Sequence, residues 1–127
     1  MDDDLSAALR CTYSILDAGF EVDIATTSGD ALRLLWERRY VASVVDLVMP
    51  DMGGREVIRT LRSVAPDAAL VVVGDDPESV VRPLAPDHYL RRPFAPDELL
   101  EALALAMASA RGRRSMADDR SSAAAAR

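Results

Sequence analysis

The chain has 127 residues, half of them apolar and 28% charged, a balance that suits one globular domain with a core of its own. Its net charge of −6 argues against non-specific nucleic-acid binding, which needs a basic face. No apolar run is long enough to span a membrane, and the start at Asp2, Asp3 and Asp4 carries no secretory signal, so a cytoplasmic location is expected.

Taken in chain order, residues 5–18 place Ala8, Cys11, Ile15 and Ala18 at helical spacing, and Gly19 stands where a helix end wants a left-handed residue. Cys11, the single cysteine, reads as a small buried hydrophobe. Phe20 to Ala25 alternates apolar and polar residues, the pattern of a half-buried edge strand. Thr27 or Ser28 caps a helix near Asp30 to Arg39, followed by a β-branched strand from Val41 that ends at Asp46. A turn at Pro50–Gly54 leads to a helix over 55–65, stopped by Pro66. Ala69 to Val73 is a buried strand, residues 78–84 offer two helical turns at most, and His88 to Leu90 is a short strand. Pro96 to Ala110 opens as a helix should, with Pro, Asp and Glu. Residues 111–127 lose apolar periodicity and are expected as a disordered tail after a domain over 1–110.

Helices alternating with strands call for a doubly wound parallel α/β sheet with right-handed crossovers. Ligands of such sheets bind beyond the carboxyl ends of the strands. Asp46 lies at one such end, Gly74, Asp75 and Asp76 at another, and Arg91 and Arg92 at a third. Asp2 and Asp3 would follow a strand ahead of residue 5, but no such strand is present. Carboxylates gathered in this way repel one another unless a divalent cation relieves them, and Mg²⁺ suits one or two carboxylates with waters and a phosphate oxygen. An aspartate in that setting can attack a phosphoryl group and become an acyl phosphate. Plainer readings stand beside these. Asp2–Asp4 also fits a solvated acidic start, Asp46 a strand-end cap, Tyr89 a half-buried aromatic and Arg92 a surface residue.

The run Asp46-Leu47-Val48-Met49-Pro50-Asp51-Met52-Gly53-Gly54 resembles the phosphoacceptor signature of response-regulator receiver domains. Asp2-Asp3-Asp4 is similar to that family's acidic pair, and His88-Tyr89-Leu90-Arg91-Arg92-Pro93-Phe94 to its Tyr-x-x-Lys-Pro-Phe. The resemblance covers residues 1–110. It implies a flavodoxin-like fold with strand order 2-1-3-4-5, here lacking its first strand. It implies phosphorylation at Asp46, with Mg²⁺ held by Asp2, Asp3, Asp46 and the Val48 carbonyl. Arg92 and Gly74 mark the phosphoryl-contacting positions, and Tyr89 that of a rotating aromatic switch. The partners implied are a histidine kinase or phosphotransfer protein and an output protein of unknown kind, without direct nucleic-acid or membrane contact.

Four departures from the family pattern follow. The absent first strand is expected to reflect a true start upstream of Met1, or else a domain that is rearranged or completed by a partner strand. Gly74 replaces the usual Thr or Ser and has no hydroxyl for the phosphoryl group. Arg92 replaces Lys in a chain without lysine, keeping the charge in a bulkier, forked group. The stretch between Gly74 and Arg92 is about one helical turn short. Three functions are weighed. The leading one is a phosphorelay receiver, a signalling module rather than an enzyme. The alternative is a degenerate receiver that binds partners without switching. Last comes a small aspartate-nucleophile phosphatase, which would want a second aspartate where Val48 stands.

Overall fold

A computed structural model describes residues 4–47 and 53–125, with side chains over 10–47 and 53–113. Helix α1 spans Asp4–Asp17. Its end carries the expected glycine: Gly19 has φ +96°, its N–H donates to Leu16 O (3.0 Å), and Phe20 N–H donates to Ile15 O (3.4 Å). That pair of bonds satisfies carbonyls that the last turn would otherwise leave open. Helix α2 spans Ser28–Glu37 and is capped by Thr27, whose hydroxyl accepts from Asp30 N–H at 3.2 Å. Strand β1 is Ala42–Asp46, helix α3 Gly54–Val64 and strand β2 Ala69–Gly74. The short α4, Glu78–Val81, runs into a 3₁₀ turn at Arg82–Leu84 before strand β3, His88–Arg91. Helix α5 starts at Pro96, where Ala95 N–H donates to the Glu98 side chain (3.0 Å). It continues to Ala125, through the stretch expected as a disordered tail.

The three strands form one parallel sheet in the order β1-β2-β3, with Asp46 opposite Val73 and Gly74 opposite Arg91. Strand β2 is buried along its whole length, and its alternate residues feed two cores. Leu70 and Val72 join Val45, Val57, Ile58, Leu61 and Val81 under α2, α3 and α4. Ala69, Val71 and Val73 join Leu99, Ala102, Leu103 and Ala106 under α5, with Cys11 and Ile15 of α1 at the margin. Helices thus cover both faces, which is the doubly wound architecture the alternation called for. Cys11 is a packing residue, and burial raises its thiol pKa.

Phe20–Ala25 departs from expectation, because it forms no strand. Its alternation partly survives, with Val22 and Ala25 half-buried and Glu21 and Asp23 exposed. A strand, however, needs a neighbour for its backbone groups, and among the described residues β1 pairs only with β2. Side chains hold the segment instead. Tyr40 donates its hydroxyl to Asp23 Oδ2 (2.7 Å) and Arg38 Nη1 donates to the same oxygen (3.2 Å). Burial and that carboxylate push the Tyr40 phenol up to about 12. Among the described residues nothing pairs with the outer side of β1, where Val44 is 39% exposed and Ile24 61%. Among the described residues no helix is long and apolar enough to cross a membrane.

Candidate functional site

The carboxyl ends of the three strands converge because the sheet is parallel and in register. Leu47 N–H donates to Val73 O (3.1 Å), and Arg92 N–H donates to Gly74 O (2.9 Å). Asp46, the loop from Gly74 to Asp76 and the pair Arg91–Arg92 therefore share one end of the sheet. The Arg92 guanidinium joins them: Nη2 donates to Asp46 Oδ2, and Nη1 lies 3.7 Å from Asp75 Oδ1. The Asp46 side chain is 36% exposed, open enough for an incoming group and in contact with the Arg92 guanidinium, which orients it.

Gly54 sets how near α3 comes to this end of β1. A Cβ there would lie 3.0 Å from Asp46 O and 3.2 Å from Leu47 Cα, both backbone atoms. Gly54→Ala is expected to push α3 away from Asp46 and to cost about 1–3 kcal/mol, as overpacking against a rigid neighbour does. Urea unfolding of the variant measures this, and a midpoint equal to that of the parent chain refutes it.

Across residues 1–104 the chain matches the family model described as the response regulator receiver domain. It is 35% identical over 105 residues to the response regulator MprA of Mycobacterium sp. (strain KMS), covering 79% of this chain and 45% of that protein. This chain belongs to the response-regulator receiver family. It spans less than half the length of that curated relative. A sensor protein from Polaromonas sp. JS666 is 31% identical, with a TM-score of 0.72 over 86% of this chain and 92% of that one. A CheY-like receiver domain protein from Methanospirillum hungatei JF-1 is 22% identical and shares the fold, with a TM-score of 0.77 over 88% of this chain and 93% of the other. Receivers of this family serve two-component signalling.

Of the receiver positions singled out in the sequence, Asp46, Gly74, Tyr89 and Arg92 come together at this end of the sheet. Asp2, Asp3 and Val48 lie outside the described residues. Among the described residues no cluster of three or more His, Cys, Asp or Glu is placed to hold a metal. The one described member of the expected set, Asp46, supplies a hard carboxylate oxygen of the kind Mg²⁺ takes. Tyr89 turns its hydroxyl to Asp76 O (2.5 Å), and burial, helped by the Asp76 carboxylate, raises its pKa. At Gly74 a Cβ would meet Tyr89 Oη at 3.5 Å and Leu47 Cβ at 3.8 Å, so the ring and Leu47 border the space where a hydroxyl-bearing side chain would stand. Sequence reasoning placed Asp75 only at the end of its strand and missed it as a partner of Arg92. No spacing rule links residues 75 and 92, which meet only through the β2–β3 register.

Proposed function

We propose that this receiver accepts a phosphoryl group on Asp46 from a histidine kinase or phosphotransfer protein. An Asp46 carboxylate oxygen attacks the phosphorus of a phosphohistidine. The new O–P bond forms as the P–N bond breaks, and the histidine nitrogen keeps the electron pair and takes up a proton. Asp46 is left as an acyl phosphate. Asp2, Asp3 and Asp46, with the Val48 carbonyl, would hold Mg²⁺, which supplies positive charge to the phosphoryl oxygens. Arg92 adds a forked guanidinium to the same oxygens. The contact between Arg92 and Asp46 is the observation that carries this reading, since it sets a cation where phosphoryl charge would accumulate.

The receiver domain is read as residues 1–110, acting in the cytoplasm as a signalling module rather than an enzyme. An output protein reads its state, and the negative net charge speaks against direct nucleic-acid contact. Incubation with acetyl phosphate and Mg²⁺ tests the proposal by intact mass. One phosphoryl addition is expected in the parent chain and none in Asp46→Asn. A second reading, an interaction module that is never phosphorylated, is favoured by Gly74, which offers no hydroxyl to the incoming group. It predicts an unchanged mass in a folded chain.

A further inference from the structure

The loop after β2 is bound to β3 through three consecutive carbonyls. Arg92 N–H donates to Gly74 O (2.9 Å), Arg91 Nε to Asp75 O (3.2 Å) and Tyr89 Oη to Asp76 O (2.5 Å). The Tyr89 ring also packs on the α2–α3 core, with Cε1 3.8 Å and Oη 3.5 Å from the point where a Gly74 Cβ would stand. Swinging the ring out would leave the Asp76 carbonyl without that donor and open a void beside the glycine, losing contacts on both sides. The Arg92 guanidinium is held differently. It divides between Asp46 and Asp75, and the Asp75 side chain is 63% exposed at 3.7 Å, the weak kind of pair that water screens.

We propose that Tyr89 is a fixed strut in this receiver and that the moving element is the Arg92 fork, with Asp75 a positioning residue that yields Arg92 to the phosphoryl group. The proposal rests on Asp46 being the phosphoacceptor. Phosphorylation replaces one carboxylate charge by a group of about −2 with three strong acceptor oxygens. A guanidinium prefers such oxygens in a fork. Arg92 then leaves Asp75, and the freed carboxylate at the exposed end of β2 becomes the signal a partner reads. Gly74, with no hydroxyl to draw the loop inward, leaves the loop on its three carbonyl bonds throughout.

The test uses the full chain labelled with 3-fluorotyrosine, its three resonances assigned by Tyr13→Phe, Tyr40→Phe and Tyr89→Phe. In the resting chain Tyr89 is expected to give one solvent-shielded resonance, unlike Tyr13, which is 61% exposed. After loading with beryllofluoride and Mg²⁺ it should stay in place. Gly74→Thr, whose side chain presses on the ring, should move it and so shows that the probe responds. Asp75→Asn is expected to tighten beryllofluoride binding about threefold, the scale of one exposed ion pair. Asp76→Asn, which keeps its carbonyl bond, should change it far less. In an Arg92→Ala background the Asp75→Asn effect should fall to that of Asp76→Asn, because no cation is left for Asp46 and Asp75 to share. A Tyr89 resonance that shifts on loading, or that is solvent-exposed at rest, overturns the proposal, as do equal effects of Asp75→Asn and Asp76→Asn. A chain that takes up no phosphoryl group by mass sinks the phosphoacceptor reading and the Arg92 part with it, while the resting spectrum still decides whether Tyr89 is fixed.

Discussion

Asp87→Ala is expected to destabilise the fold by about 2–3 kcal/mol, the scale of leaving a buried N–H without its acceptor and a half-buried guanidinium without its partner. The Asp87 side chain is 4% exposed at the start of β3. Its Oδ2 accepts from the N–H of Leu70 at 2.8 Å and from Arg113 Nη2 at 3.3 Å, while Oδ1 accepts from Arg113 Nη1. Leu70 is wholly buried, so with the carboxylate gone its N–H has no water to turn to. Arg113 loses the group that ties α5 to the sheet and keeps only a long contact to Ala68 O (3.5 Å). Asp87→Asn keeps an acceptor for Leu70 and should cost about half as much, whereas Arg113→Ala leaves a poorly hydrated carboxylate and should fall between the two. Urea midpoints of the three variants measure the series. An Asp87→Ala chain within about 0.5 kcal/mol of the parent, the range of an ordinary surface change, removes the basis of the argument.

The same residue shows where reading the sequence stops. Helix α1 with its Gly19 stop, the cap at Thr27, the buried β2 strand and Asp46 at a strand end are local patterns, and the structure keeps each of them. Asp87 and Arg113 are 26 positions apart, and neither stands in a pattern that marks the other as its partner. The stretch after Ala110 lacks the apolar spacing that signals an amphipathic helix. Yet it is rich in Ala and Arg, which favour helix, and extending a helix already nucleated at Pro96 costs far less than starting one. Phe20–Ala25 fails in the opposite sense. Its alternation is correct for a strand, but no local pattern supplies the neighbour that turns an extended segment into one. At the site, Asp46, Gly74, Tyr89 and Arg92 were legible through motif spacing. The division of Arg92 between Asp46 and Asp75 was not, because it depends on where the two loops arrive in space.

A β-branched segment of about five residues appended ahead of Met1 is expected to raise stability by about 3 kcal/mol, and the melting temperature by roughly 10–20 °C for a domain of this size. The connections show where it would go. Helix α2 packs on the same face as α3, so a right-handed connection through it sets Phe20–Ala25 on the far side of β1 from β2. Helix α1 packs on the other face, so a right-handed connection through it must step back, from a strand lying between β1 and Phe20–Ala25. Val41 O and Leu47 N–H point toward β2, so by the two-residue alternation the backbone groups of Val44 face that open place. A parallel strand there would pair with β1 on one side, turn Phe20–Ala25 into a strand on the other, and cover Val44 and Ile24, now 39% and 61% exposed. Ordering five residues costs about 1–2 kcal/mol each, which offsets most but not all of the gain from two new ladders and the newly buried apolar surface. Hydrogen exchange reports the geometry directly, since the Val44 amide should become strongly protected in the extended chain and remain unprotected when the appended five residues are polar. An extended chain with the parental melting temperature, or with Val44 still exchanging freely, means that the place beside β1 is closed in solution.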